Sequence, residues 1–376
     1  MALAMRGRGA VEPNPTVGCV IVQGGKLIGE GYHQRFGGPH AEPMALEACE
    51  QSPRGATAFV SLEPCCHADK QTPPCVPRLI EAGVARVVIG TVDPNPQVCG
   101  RGVEQLRRAG IAVDNLDLPE ARQLIAPFIA CIVHGRPYVT LKWAESADRK
   151  VAGPMGRRAQ ISGEKALRAV HQLRSRCDAI LVGINTVLSD NPMLTSRLAT
   201  PLRPLRRIVL DSKLRMPTDC RLARTATEGK VTVYTSRSSR ERDVQKGQAL
   251  EDTGVGVRGV TEDQAGRLSL REVLDDIAGL GTTHLLVEPG PTLAKSWLAT
   301  PDLWDRLWVI ASPARIDDPA APAAPALPDG QVAQYIIEPD RLTEYLNPRS
   351  PLTFSAEPSA DLVMTSGALD RCTDAR

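Results

Sequence analysis

Aromatic side chains are scarce in this sequence: Phe, Trp and Tyr together make up 3% of 376 residues. Charge of one sign is equally short, with a net +2 when histidine is neutral. A sequence-independent binder of nucleic acid shows a basic face and stacking aromatics. Neither is evident, so no nucleic-acid partner is expected. No apolar run approaches the length of a membrane span, which argues against a membrane partner. No charged n-region, apolar core and small-residue cleavage site opens the chain, so its ten cysteines do not read as a secreted disulfide framework. The expectation is a reduced, cytoplasmic protein. Gly-x-Gly-x-x-Gly is also missing, which leaves a standard dinucleotide-binding half unsupported. A chain of this length is expected to form two domains, each able to bury a core.

What is present is Gly38-Pro39-His40-Ala41-Glu42, followed by Leu62-Glu63-Pro64-Cys65-Cys66-His67 and Thr72-Pro73-Pro74-Cys75. One imidazole, a nearby carboxylate and two separated thiols are what a catalytic zinc site needs. Three ligands hold the ion, and the fourth tetrahedral position stays open for water. His-x-Glu, then Pro-Cys, then a later Cys is the signature of zinc-dependent base deaminases. There the metal lowers the pKa of water, and the resulting hydroxide attacks the carbon bearing an exocyclic amine. His40, Cys65 and Cys75 are the expected ligands, with Glu42 as proton carrier. The gap from Cys65 to Cys75 is longer than the usual Cys-x-x-Cys. Cys66 and His67 are chemically able to bind as well. Cys65 is favoured because it directly follows Pro64, and Cys66 is expected to pack. The plain alternative is a structural zinc knot or unrelated buried thiols, but no structural knot requires the Glu.

Apolar residues at intervals of three and four (Ala41, Met44, Ala45, Ala48, Cys49) predict a helix beginning at His40, with the imidazole in its first turn. A second helix is expected over 75–83, its free N–H groups biasing Cys75 toward thiolate. A strand over 57–62 delivers Cys65 at its end. Segments 19–23 and 26–31 read as a hairpin across Gly24-Gly25. A strand at 85–90, a helix at 102–109 and a strand at 111–113 follow. One helix is predicted over 118–133, and the break at Gly135-Arg136-Pro137 sets a domain boundary, 1–136 against 137–376. The second half restarts with a strand at 138–143 and a helix at 163–176. Strands at 179–183, 207–210, 230–235, 284–288 and 306–311 come next, with helices at 269–280 and 291–298 among them. Residues 317–328, rich in Ala and Pro, are expected as loop, and 361–364 as strand. Strand–helix alternation of this kind predicts α/β sheets covered by helices.

The second half offers weaker signals. Val287-Glu288-Pro289-Gly290-Pro291-Thr292-Leu293 ends a strand, turns at Gly290 and opens a helix whose N–H groups could hold phosphate. Thr186 with Asp190-Asn191-Pro192 is another polar cluster, and Arg174 and Arg197 are candidates to clamp an anionic group. Each is weak alone, since strand–turn–helix units are commonplace and an exposed Arg is usually only solvated.

Together these residues resemble the bifunctional riboflavin-biosynthesis deaminase–reductase family over nearly the whole chain. The amino half carries the likeness in Pro13-Asn14-Pro15…Val17-Gly18, Gly38-Pro39-His40-Ala41-Glu42, Leu62-Glu63-Pro64-Cys65…Thr72-Pro73-Pro74-Cys75 and Asp93-Pro94-Asn95-Pro96. The resemblance implies a cytidine-deaminase-like domain acting on 2,5-diamino-6-ribosylamino-4(3H)-pyrimidinone 5′-phosphate. His40, Cys65 and Cys75 would hold one Zn2+, and Glu42 would shuttle protons. Asn14, His33, His67, Lys70, Asp93 and Asn95 would line the substrate pocket. The carboxyl half looks like a dihydrofolate-reductase-like α/β domain that uses NADPH to open the ribosyl ring to a ribityl chain. Lys142…Ser146…Asp148, Gly183…Thr186…Asp190-Asn191-Pro192…Leu194-Thr195…Arg197, Asp211-Ser212 and Glu288…Gly290 carry that likeness. By the same matching, Ala144, Thr186, Asp190, Ser212 and the turn Gly290-Pro291-Thr292-Leu293-Ala294-Lys295-Ser296 would contact NADPH. Arg174, Leu194, Arg197 and Glu288 would contact substrate. Three departures stand out: Asp148-Arg149 for an Asp-Gly, Arg158 and Gln160 for a Ser and a Trp, and Pro289-Gly290 for a glycine pair. They carry an alternative expectation, a deaminase whose reductase-like half binds ligand without transferring hydride. A homo-oligomer is expected.

Overall fold

The computed structural model describes residues 1–67, 72–154, 157, 159–199, 202–354 and 370–371. Its contacts divide the chain into two compact units that meet in sequence between Gly135 and Arg136. Both are α/β, as expected.

The first unit holds a five-stranded sheet in the order β2-β1-β3-β4-β5. The strands are β1 (Gly18–Gln23), β2 (Lys26–Tyr32), β3 (Thr57–Val60), β4 (Arg86–Ile89) and β5 (Ala112–Asn115). β1 runs antiparallel to both β2 and β3, while β3, β4 and β5 are parallel. It follows that β2, β3 and β4 all end at one edge, where β1 begins. Ile21, Val60, Val87 and Ile89 of the sheet pack with Ala41, Ala45, Leu79 and Leu106 of the helices. The helix Ala41–Glu47 lies so close to β2 that a Cβ at Gly29 or Gly31 would collide with the backbone of Ala45. Those two glycines therefore buy helix–strand approach, and the approach fixes where the residues before the helix sit.

Two local expectations are corrected. His40 is the N-cap of helix Ala41–Glu47, with extended φ and ψ of −74° and 171°, and not a first-turn residue. The single helix expected over 118–133 is two, Pro119–Leu124 and Ala126–His134, divided at Ile125. Pro127 has no N–H to carry the first helix's bonding forward, but is tolerated in the first turn of a new one.

The second unit is organised on a ten-stranded sheet in the order β10-β9-β8-β7-β11-β6-β12-β14-β13-β15. These are β6 (Tyr138–Glu145), β7 (Ala179–Gly183), β8 (Arg206–Leu210), β9 (Val231–Ser236), β10 (Gly256–Val260), β11 (His284–Val287), β12 (Arg306–Ala311), β13 (Gln331–Ile337), β14 (Asp340–Leu346) and β15 (Asp370–Arg371). From β10 across to β12 all neighbours are parallel, and β14, β13 and β15 add on antiparallel. Strands β10, β13 and β14 and the helices Ile184–Asp190 and Val244–Glu251 were not expected from the sequence. The strand expected at 361–364 lies outside the described residues. Trp143, Leu181, Leu285, Val287 and Val309 form the core with Val273, Ile277 and Trp297 of the covering helices.

An ion pair pins the start of this sheet. Arg136 donates to Asp305 through both terminal nitrogens, at 2.8 and 2.6 Å, and the pair is 6% and 1% exposed. Asp305 also accepts from the Val139 amide at 2.7 Å and the Ser350 hydroxyl at 2.6 Å. Substituting Arg136→Met leaves that carboxylate buried without its cation. We expect the transition of the second unit in urea to lose about 3–5 kcal/mol, read from the shift in its midpoint.

Candidate functional site

Strand direction assembles the first site. Asn14 and Val17 lead into β1, His33 follows β2, Glu63 and Cys65 follow β3, and Asp93 and Asn95 follow β4. All four connections leave the same edge of the sheet and line one cavity of about 330 Å³, together with His40, Glu42 and His67. That volume suits a small heterocycle with its sugar. Of the residues named from the sequence for this pocket, Lys70 alone lies outside the described residues.

His40 Nδ1 stands 3.5 Å from Cys65 Sγ and 3.4 Å from Cys75 Sγ, and the three ligand atoms lie within 4.8 Å of one another. One imidazole nitrogen and two thiols are a donor set for zinc that leaves a fourth position for water or substrate. Cys75 opens the helix Cys75–Ala82 and is fully buried. Its amide and that of Val76 both donate to the Cys65 carbonyl, at 3.0 and 3.2 Å, and the Cys75 amide also points at Cys65 Sγ at 3.4 Å. The longer spacing between the two cysteines is thus closed by backbone hydrogen bonds across the loop. Cys66, half-buried, packs against the core of this unit.

Glu42 is 3% exposed, and its Oε2 has no hydrogen-bond partner among the described residues. A buried carboxylate oxygen left in this way is costly unless something else is meant to meet it. Burial pushes the Glu42 carboxyl up to about 7, the neighbouring Cys65 thiol adds to the push, and the His40 ring opposes it. The orphaned oxygen, the buried thiols and the imidazole together fit a metal that carries a water.

Two residues of this site were not assigned from the sequence. Thr72 Oγ1 lies 3.2 Å from His40 Nε2, where the hydroxyl can accept that N–H and hold the ring with Nδ1 facing the thiols. Thr72 is adjacent to the Pro-Pro-Cys run, but nothing in its spacing announces a partner for an imidazole. Glu63 is a buried pin. Its Oε2 accepts the amides of Asp93 (3.2 Å) and Gly100 (2.9 Å), and its Oε1 accepts those of Gly102 (2.9 Å) and Val103 (3.1 Å). The last two belong to the first turn of helix Arg101–Arg108, where a carboxylate also meets the positive helix end. Elsewhere in the pocket, His33 Nδ1 bonds the Pro39 carbonyl at 2.8 Å, which leaves Nε2 as the acceptor for the Asn14 amide at 3.2 Å.

In the second unit the residues named from the sequence collect at the carboxyl ends of parallel strands. Ala144 is on β6, Thr186 and Asp190 are on the helix after β7, Ser212 follows β8, and Glu288 and Gly290 follow β11. Ligands in open α/β sheets bind outside this edge. Gly290 caps the helix Pro291–Leu298, and a Cβ there would meet nothing within 4 Å, so the helix start faces open space. Ala294 does not share it: its methyl is in the core and its amide bonds the Gly290 carbonyl at 2.9 Å.

Arg174 and Glu288 are brought together and occupy each other. The guanidinium donates to both carboxylate oxygens, Nε at 2.7 Å and Nη2 at 2.6 Å, so it is not the open anion clamp that the sequence suggested. Burial works against the Glu288 charge, but Arg174, Lys142 and His171 outweigh it and hold the carboxyl at about 2. His171, 1% exposed, accepts the Arg197 amide at Nδ1 (3.0 Å), and Arg197 itself is exposed. Leu194 is buried with a positive φ of 51°. The Arg149 departure has a local account: it sits at φ 60°, where glycine would be at ease, and donates to Glu145 and to the Pro325 carbonyl, both at 2.7 Å. Arg158 lies outside the described residues.

Residues 1–91 match the cytidine and deoxycytidylate deaminase zinc-binding region, and residues 137–325 match the RibD C-terminal domain. The chain is 44% identical over 294 residues to the riboflavin biosynthesis protein RibD of Actinobacillus pleuropneumoniae, covering 78% of this chain and 76% of that one. It is 40% identical over 326 residues to RibD of Escherichia coli, covering 83% and 85%. A solved diaminohydroxyphosphoribosylaminopyrimidine deaminase/5-amino-6-(5-phosphoribosylamino)uracil reductase from Thermotoga maritima superposes with a TM-score of 0.77. It is 33% identical to this chain, with 92% of this chain and 95% of that one covered. No helix among the described residues is long and apolar enough to cross a membrane.

Two measurements test this geometry. Thr72→Val removes the partner of His40 Nε2, and zinc affinity by chelator competition should fall about 10- to 100-fold. The second concerns pH. Burial, with Arg174 and Arg197, lowers His171 from 6.5 to about 4. The folded state therefore binds fewer protons than the unfolded one, and this stabilisation is complete above about 6.5 and lost as pH falls toward 4. Glu288, lowered from 4.5 to about 2, extends the loss below that. Urea midpoints of the second unit should accordingly drop between pH 7 and pH 4, and His171→Gln should flatten the upper part of that curve.

Proposed function

This chain belongs to the RibD family of bifunctional riboflavin-biosynthesis deaminase–reductases, and we propose that its two activities divide at residues 136/137. Residues 1–136 carry zinc-dependent deamination, and 137–376 carry NADPH-dependent reduction. The substrate of the first is 2,5-diamino-6-ribosylamino-4(3H)-pyrimidinone 5′-phosphate, in keeping with the phosphoribosylaminopyrimidine chemistry for which the Thermotoga protein is named. The single observation that carries the first assignment is the convergence of His40, Cys65 and Cys75 beside a buried Glu42.

Zinc bound by His40, Cys65 and Cys75 supplies the Lewis acidity that brings the pKa of water toward neutrality. Glu42 takes one proton from the attacking water and passes it to the ring nitrogen, then takes the second from the added hydroxyl and passes it to the amine, which leaves as ammonia. Burial raises the Glu42 carboxyl above the ordinary carboxylate range, the direction a group that both takes and returns protons needs, because a general acid–base works best when its pKa lies near the working pH. Asn14, His33, Asp93 and Asn95 orient the base from the strand ends together with His67, and a substrate contact from Lys70 rests on the family resemblance alone. The hydrogen bond from His33 to Pro39 sets that ring in one tautomer before substrate arrives. The carbonyl-tied cysteines keep the metal-holding loop closed.

The second half would hold NADPH, a hydride donor for C1′ of the sugar as the C1′–ring-oxygen bond opens and that oxygen takes a proton to become a hydroxyl. Ala144, Thr186, Asp190, Ser212 and the turn from Gly290 to Ser296 hold the cofactor, with Ala294 contributing through the helix it anchors. The open space at Gly290 and the common strand edge support this. Glu288, held ionised by Arg174, is placed to accept hydrogen bonds from sugar hydroxyls. Leu194 is assigned a substrate contact by the family resemblance, and Arg197, exposed, is a cation that can meet the phosphate. In Glu42→Gln, zinc content should be unchanged while ammonia release from the diaminopyrimidine slows by about 10²- to 10⁴-fold. Release at the native rate would refute the role given to Glu42.

A further inference from the structure

His171 and Arg174 stand three residues apart on the helix Glu164–Arg176, so their side chains share a face. Arg174 holds Glu288 from that face, and its Nη1 also donates to the Thr195 carbonyl at 3.3 Å. The guanidinium thus sets the loop 194–199 beside the carboxylate assigned to the sugar. His171 is buried, and no step of the chemistry above uses it. Its contacts go to the same loop. Nδ1 accepts the Arg197 amide at 3.0 Å, and Ser196 Oγ lies 2.9 Å from the His171 carbonyl and 3.0 Å from that of Ala199. Leu194 anchors the start of the loop by burial, at a φ of 51°.

The backbone is therefore held residue by residue as far as Arg197, while the Arg197 side chain is exposed. A backbone N–H can only donate, so Nδ1 of His171 must keep its lone pair and the neutral ring carries its proton on Nε2. Burial, then the charges of Arg174 and Arg197, lower this ring to about 4, and Lys142 adds to them against Glu288. The acceptor is consequently present at every pH near 7. A leucine could fill the same space, and what the imidazole adds is a fixed acceptor for one amide. A long cation loses rotamer freedom when it binds an anion, and backbone motion at its root would add to that cost.

We infer that His171 is a positioning residue for the substrate phosphate, acting through Arg197, whose backbone it fixes beside the sugar site. The inference rests on the reading of the second unit as the reductase, with Arg197 meeting the phosphate. Hydride transfer is left to other residues.

Steady-state NADPH oxidation by the full chain tests it, with the deaminated intermediate and with the same compound after removal of its 5′-phosphate. The proteins are native, His171→Leu, His171→Ala, His171→Asn, Arg197→Ala and the His171→Leu/Arg197→Ala double variant. Leu and Ala both remove the acceptor, so one remains readable if the other does not fold. Each should raise KM for the phosphorylated compound about 10-fold, roughly one lost hydrogen bond, and leave kcat and the KM for NADPH unchanged. Asn carries its oxygen where the imidazole carries Nδ1, and should restore the native KM. In the Arg197→Ala background, His171→Leu should add little. A parallel fall in kcat, an equal loss with the dephosphorylated compound, or additive losses in the double variant would each overturn the role. Native protein indifferent to the phosphate would remove the reading of Arg197, and native protein that oxidises no NADPH would remove the reductase reading itself.

Discussion

The direction of the strands is the constraint from which both sites follow. In the first unit, an antiparallel β1 between β2 and β3 makes β2, β3 and β4 end together, and four loops meet over one cavity. Reversing any one of those strands would carry His33, Cys65 or Asp93 to the far side of the sheet, some five residues' length away. In the second unit, seven parallel strands do the same for a longer edge. A parallel sheet is covered on both faces by its crossovers, so its chemistry has to be placed at strand ends.

Loops brought to one edge still have to be held, and buried carboxylates do this repeatedly. Glu63 takes four backbone amides, and Asp305 takes a guanidinium, an amide and a hydroxyl. Asp178 takes the amides of Thr283 and His284 together with Arg203. Each joins segments far apart in sequence, and each would be a heavy liability if it lost a partner. Glu42 differs from these three in that its Oε2 has no hydrogen-bond partner among the described residues, a state it shares with one oxygen each of Asp211 and Asp340; what sets Glu42 apart from those two is its place beside His40, Cys65 and Cys75.

The metal ligands were legible because zinc demands particular donors, and His-x-Glu with Pro-Cys and Cys supplies them in few residues. The strands of both sheets were legible where apolar runs were bounded by Gly or Pro. Other features were hidden for stated reasons. Glu63 acts through amides 30 to 40 residues away, and no local pattern marks that. Strands β13 and β14 carry Gln, Glu, Asp and Arg among their apolar residues, and the β14 acids are nonetheless buried by pairing, as Glu344 is with Trp308 Nε1 at 3.2 Å. The start of helix Ala41–Glu47 shifted by one residue because His40, as a cap, keeps an extended backbone that lets its ring turn toward the thiols.

The left-handed residues of the second unit show how its loops are kept in shape. A non-glycine residue in that region costs about 1–2 kcal/mol, and burying a leucine gives back about 1.5–3 kcal/mol. Leu194 and Leu214, each at least 96% buried, therefore hold their turns by packing rather than by glycine's freedom. Arg149, half-exposed, has no such burial, and its ion pair with Glu145 and its bond to Pro325 take that place. The proline-rich segment beside it has few amides of its own to donate, so cationic side chains do: Lys150 reaches the carbonyls of Pro319 and Ala321. An Arg in place of Gly is then more than a tolerated strain. It supplies donors to a loop whose composition lacks them, and that loop runs along the strand end where Ala144 and Asp148 sit.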